Sequence, residues 1–234
     1  MTPFAAAPRI PFPRALLGAI LALAWLGCTP PQQLLMSLLP DGTIPVFLSN
    51  FQRVDDTNRR RIAEFEQRRD WDGLAHFAEE NVKLDKTNSD WWVVAGYAYS
   101  QGGKRKQAIA SYNEAVRITP EDALGWNLLA NSYRLDGQPE RALQIVARAL
   151  DVNRETPATW TLQGEILSDL NRFEPATASY GEALKLDQRF ALAWLGIGKA
   201  YARLGKNAEL KEAARTLEKL DPALARELAS AVTK

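Results

Sequence analysis

Tryptophan recurs at positions 92, 126, 160 and 194, each step 34 residues long. A fixed period of that size constrains a chain more than its composition does. Each unit must fold as the same small motif, and such a motif buries its apolar face only against its neighbours. The segments WVVAGYAY (92–99), WNLLANSY (126–133), WTLQGEIL (160–167) and WLGIGKAY (194–201) align without gaps. Gly96, Ala130, Gly164 and Gly198 hold a small position four residues after each Trp, and Tyr99, Tyr133, Leu167 and Tyr201 follow three residues later. Gly103, Gly137, Asn171 and Gly205 keep the same register, which predicts a tight turn with left-handed backbone between two helices. Second halves carry Ala108, Tyr112 and Ala115, then Ala142, Val146 and Ala149, then Ala176, Tyr180 and Ala183, then Leu210, Ala214 and Leu217.

This register resembles the tetratricopeptide repeat, whose pattern runs W-x2-L-G-x2-Y, then A, F and P. Pro120 and Pro222 fill the loop proline place, while Arg154 and Gln188 depart from it. The resemblance implies an all-α fold, a right-handed superhelix of stacked helix-turn-helix repeats. The units fall at 89–122, 123–156, 157–190 and 191–224. A degenerate repeat precedes them at 55–88, without the Trp or the small residue. At the other end Asp221 reads as a helix N-cap and Pro222 as the first helical residue. The end of that helix, 225–234, is expected to cap the array.

The N-terminus reads differently. Arg9 and Arg14 precede ALLGAILALAWL (15–26), an uncharged run. It is too short for a spanning helix, which needs about 20 residues, and suits the apolar core of a secretory signal. Gly27 and Cys28 follow, and the arrangement resembles the lipobox of bacterial lipoproteins. Gly and Cys match; Trp25 stands where that family prefers Leu, and Leu26 where it prefers a small residue. The resemblance implies a signal peptide at 1–27, cleavage before Cys28, acylation of its sulfur (palmitate among the acyl groups), and a tether and apolar linker over 28–54. Thr29 in place of Asp implies the outer membrane facing the periplasm. An uncleaved inner-membrane anchor on an accessory subunit of an enzyme complex is the alternative. Within the linker, QLLMSLLPDGTIPVFLSNFQRV (33–54) admits three readings: packing along the first helices, lying on a membrane, or binding a partner.

Composition excludes other classes. Basic and acidic residues balance at 29 against 28, so no global field attracts nucleic acid. One Cys and one His, His76, cannot supply a zinc site of the usual Cys/His type. Gly102-Gly103 falls at an interhelical turn rather than in a phosphate loop. His76 has no marked nucleophile beside it. No catalytic residue, cofactor or metal is expected, and the chain reads as a non-enzymatic scaffold or adaptor for protein or peptide clients. Lipid-anchored repeat proteins of similar design suggest secretion or pilus assembly, or cell-wall or outer-membrane biogenesis.

Tetratricopeptide arrays bind peptides on a concave surface lined by their first helices. The inward-facing positions by register are Val93, Tyr97 and Gln101; Asn127, Asn131 and Arg134; Thr161, Glu165 and Asp169; Leu195, Lys199 and Arg203. The groove is expected to be built from Tyr97, Asn127, Asn131, Arg134, Glu165, Asp169, Lys199 and Arg203. Asn127 and Asn131, four apart, share a helix face, and their amides can pair with a peptide backbone. Val93 and Tyr97 occupy the opening places of the chaperone-type carboxylate clamp, which argues against such a clamp here.

Overall fold

The computed structural model describes residues 53–232; the stretch expected to be a signal segment, Cys28 and most of the apolar linker lie outside them. Eleven helices and no strand occur among the described residues. They are α1 (Asp56–Arg68), α2 (Trp71–Leu84), α3 (Ser89–Gln101), α4 (Arg105–Ile118), α5 (Ala123–Leu135), α6 (Pro139–Val152), α7 (Pro157–Asp169), α8 (Phe173–Leu186), α9 (Ala191–Arg203), α10 (Asn207–Leu220) and α11 (Pro222–Val232).

Each pair is antiparallel and short-looped, and the local chemistry explains its limits. Asp55, Asp70, Asn88 and Asp122 accept backbone N–H bonds at the starts of α1, α2, α3 and α5, satisfying donors that a helix start leaves free. Pro139 and Pro157 open α6 and α7, where a missing N–H costs nothing. The turns at Gly103, Gly137, Asn171 and Gly205 all have positive φ. Arg69 holds the same place in the first pair with φ 53°, 34 residues before Gly103. The 55–88 unit therefore keeps the turn geometry of the others without their turn residue.

Packing follows the size of facing residues. A β-carbon on Gly96 would lie 2.6 Å from the Tyr112 ring, and one on Gly164 would lie 2.6 Å from the Tyr180 ring. In the second repeat the small residue is Ala130, and the corresponding second-helix residue is Val146, with both in one buried cluster. At the C-terminal end Leu228 of α11, 1% exposed, closes against Gly198. Thus α11 packs on both α9 and α10 and covers the face a further repeat would bury. Asp221 caps it by accepting from the Ala223 and Leu224 amides.

Neighbouring first helices touch directly, α5 with α7 and α7 with α9, whereas second helices of successive repeats are not in comparable contact. Closer spacing on one side bends a stack toward that side, so the first helices line its inner face.

Candidate peptide-binding face

Three rows of side chains run along the first helices, and each has a different fate. The first row comprises Val93, Asn127, Thr161 and Leu195, all 7% exposed or less. These side chains pack between repeats. Asn127 donates through Nδ2 to Thr159 Oγ1 of α7 at 2.8 Å, while its Oδ1 is buried with no protein partner. This corrects the sequence expectation for Asn127. Its position one turn before Asn131 shares a face, but that face is rotated into the α5–α7 contact.

The second row, one turn on, comprises Tyr97, Asn131, Glu165 and Lys199. Its first member is buried and the other three are partly exposed. Tyr97 is 2% exposed, so it too is corrected from groove wall to interior. Its ring meets Trp71 edge-on at 5.9 Å, and its hydroxyl donates to Glu66 of α1. The first helix pair covers the position that register assigns to the groove. Desolvation of the half-buried Glu66 carboxyl pushes it from 4.5 to about 7, and the Tyr97 hydrogen bond pulls it back only in part. Burial, and then the Glu66 charge, raises the Tyr97 phenol.

Asn131, Glu165 and Asp169 do meet, around Arg134. Its guanidinium donates to Asn131 Oδ1 at 3.2 Å and lies 3.4 Å from Glu165 and 3.2 Å from Asp169. Arg134 is only 14% exposed in its side chain, and Glu165 20%. One cation thus ties α5 to two carboxylates on α7. Burial raises the Glu165 carboxyl above its ordinary range, and Arg134 opposes that shift. Its Oε2 is buried without a hydrogen bond; the 3.4 Å approach of Arg134 is an ion pair of poor bonding geometry. Lys199 turns to Glu227 of α11 at 2.6 Å, so the capping helix supplies a groove residue that sequence reading did not anticipate. Its only signal was the acidic side chain at the α11 face.

Arg203 lies apart from this cluster. Its guanidinium stacks 4.6 Å over the Phe173 ring and approaches Asn171 Oδ1 at 3.5 Å, at the interhelical-turn end. The inner face therefore offers Asn131, Arg134, Glu165, Asp169 and Lys199 together, with Tyr97 and Asn127 beneath the surface and Arg203 at the rim. This patch can exchange hydrogen bonds with a peptide backbone and pair with charged groups of either sign. Among the described residues no group of three or more His, Cys, Asp or Glu is placed to hold a metal ion.

A family model described as "TPR repeat" matches residues 96–137 and 164–205. The chain carries tetratricopeptide repeats. The chain is also similar to parts of curated proteins. Anaphase-promoting complex subunit 3 of Schizosaccharomyces pombe is 29% identical over 105 residues, covering 44% of this chain and 16% of the relative. Superkiller complex protein 3 of Homo sapiens is 26% identical over 136 residues, covering 58% and 9%. The chain thus spans a small fraction of these relatives' length. Two solved tetratricopeptide structures cover more of it. One is TTC0263, a thermophilic TPR protein in Thermus thermophilus, with a TM-score of 0.61 and 20% identity over 75% of this chain and 97% of that one. The other, YrrB, is titled a TPR protein with an unusual peptide-binding site; its TM-score is 0.57 at 18% identity, covering 73% and 89%. At those identities the likeness concerns the fold, a tetratricopeptide scaffold suited to protein–protein interaction.

Proposed function

We propose that the chain is a non-enzymatic scaffold, held at a bacterial cell envelope by acylated Cys28, that grips a segment of a partner protein on its inner face. The observation that carries the binding half is the Arg134 cluster. Asn131, Glu165 and Asp169 hold one nearly buried guanidinium on the inner side of the stack. Polar groups gathered there are placed for recognition of a polar backbone, since apolar packing alone would be served as well by aliphatic residues.

The anchoring half rests on the sequence: a basic start, an uncharged run over 15–26, and a lone Cys directly after it. Two or more acyl chains anchor stably, each buried CH2 contributing about 0.8 kcal/mol. Among the described residues no helix is long and apolar enough to cross a membrane. Clients in secretion, pilus assembly or envelope biogenesis fit this placement.

Mass spectrometry of the N-terminus of the mature chain, purified from membranes, tests the anchor. A first residue at Cys28 carrying acyl mass supports it. A chain beginning at Met1 with an unmodified thiol supports the accessory-subunit alternative instead.

A further inference from the structure

Every second helix ends on an apolar residue in the 34-residue register: Leu84, Ile118, Val152, Leu186 and Leu220. Because the helices of each pair are antiparallel, these five residues lie at the same end of the stack, beside the starts of the following first helices. Four large apolar side chains stand exposed among the described residues, and three belong to this line. They are Leu84 at 85%, Val152 at 40% and Leu186 at 45%. Single exposed apolar residues scattered at random need no explanation; these three are placed by the repeat on one edge.

The path of the chain points to what covers the row. Residue 53 is pinned at this edge: the Arg53 amide donates to Asp90 Oδ2 at 3.0 Å, and Asn88 Nδ2 donates to the Arg53 carbonyl at 3.1 Å. Val54 beside it is 1% exposed. Residue 53 therefore sits beside the α2–α3 connection, within a few residues of Leu84. That segment, QLLMSLLPDGTIPVFLSNFQ (33–52), contains Asp41 as its only charged residue.

We propose that residues 33–52 lie along this edge of their own chain, covering Leu84 and reaching toward Val152 and Leu186. Length permits it. Twenty extended residues reach about 65 Å at ~3.3 Å each. From Leu84 to Leu186 is three repeats, no more than about 60 Å if each adds two packed helices 8–10 Å apart. Turn residues Pro40, Asp41 and Gly42 would divide the segment into two apolar pieces. Docking in this way takes the linker off the membrane.

The test uses the full chain with benzoylphenylalanine in place of Leu84, and separately of Leu186, in a mixture of isotopically light and heavy copies. Irradiation is expected to give crosslinks within one copy that map to residues 33–52. Crosslinks between light and heavy copies would assign the edge to self-association and overturn the proposal. So would crosslinks to added phosphatidylglycerol vesicles, or to no residue of 33–52. As a second readout, Leu84→Asp with Leu186→Asp should speed hydrogen exchange in 33–52 at least about tenfold while leaving α3–α10 unchanged. Unchanged exchange would also overturn it. Both substituted residues are exposed, so the repeats themselves should fold.

Discussion

Tyr180 fills the space that a β-carbon on Gly164 would need; such an atom would sit 2.6 Å from its Cε1. Gly196 of the next repeat faces the same ring, so one aromatic side chain locks α7, α8 and α9 together. Gly164→Ala is expected to cost about 1–3 kcal/mol through overpacking. With Tyr180→Val, which copies the Ala130–Val146 arrangement of the second repeat, the two changes should be less damaging together than their sum. A double-mutant cycle in urea should return a coupling of about 1 kcal/mol or more. Strict additivity would mean that ring and glycine do not constrain each other.

The repeating Trp has a second task besides filling space. Trp126, Trp160 and Trp194 each donate from Nε1 to the carbonyl six residues earlier, on Pro120, Arg154 and Gln188, at 2.8 Å. Trp92 makes the same bond to Lys86 at 3.3 Å. Each bond pins the loop entering its repeat. Trp126→Phe should destabilise by about 1–2 kcal/mol, from a lost hydrogen bond and some lost area. Faster exchange should concentrate in the 119–123 loop. Uniform exchange across the chain would contradict the local role.

Arg69 stands alone among the five turns in being neither Gly nor Asn, yet it has φ 53°. Left-handed backbone costs an ordinary L-residue about 1–2 kcal/mol. Arg69→Gly should therefore raise thermal stability by about 1 kcal/mol, whereas Gly137→Ala should lower it by a similar amount. A destabilised Arg69→Gly variant would show that the Arg side chain matters more than the backbone.

Glu66 supplies the pH dependence. Its folded-state value, about 7, lies above its ordinary 4.5 because burial penalises the charged form. The folded chain therefore holds a proton that the unfolded chain has released. This contribution is fully present below about 4.5 and is lost as pH rises through about 7. Glu66→Gln keeps the contact with Tyr97 without the charge. The variant should show a flatter stability profile between those pH values and greater stability than the natural chain at pH ~8. Parallel profiles would remove Glu66 as the cause.

The 34-residue recurrence was legible because it combines two independent signals, apolar spacing along each helix and a turn residue between helices. Together they placed the paired helices and the small positions such as Gly96. Arg69 escaped notice because its conformation is imposed by the packed pair around it, not by its own preference. Tyr97 and Asn127 were misassigned for a geometric reason. Register fixes a helix face to within roughly one residue's rotation, about 100°, and the boundary between groove and repeat interface is narrower than that. Asn127 fell on the interface side. Tyr97 kept the groove direction, but α1 and α2 cover it with Glu66 and Trp71. Glu227 was hidden because no pattern within α9 names the partner that Lys199 finds on α11.

Capture of partners on the inner face tests the central claim most directly. The full chain and an Asn131→Asp, Lys199→Glu variant would each be crosslinked in membranes and purified, with circular dichroism showing equal helicity. The natural chain should enrich a defined protein partner at least about tenfold over the variant, equivalent to about 1.4 kcal/mol of binding. The same partner recovered equally by both chains would place recognition away from the Arg134 cluster and contradict the account.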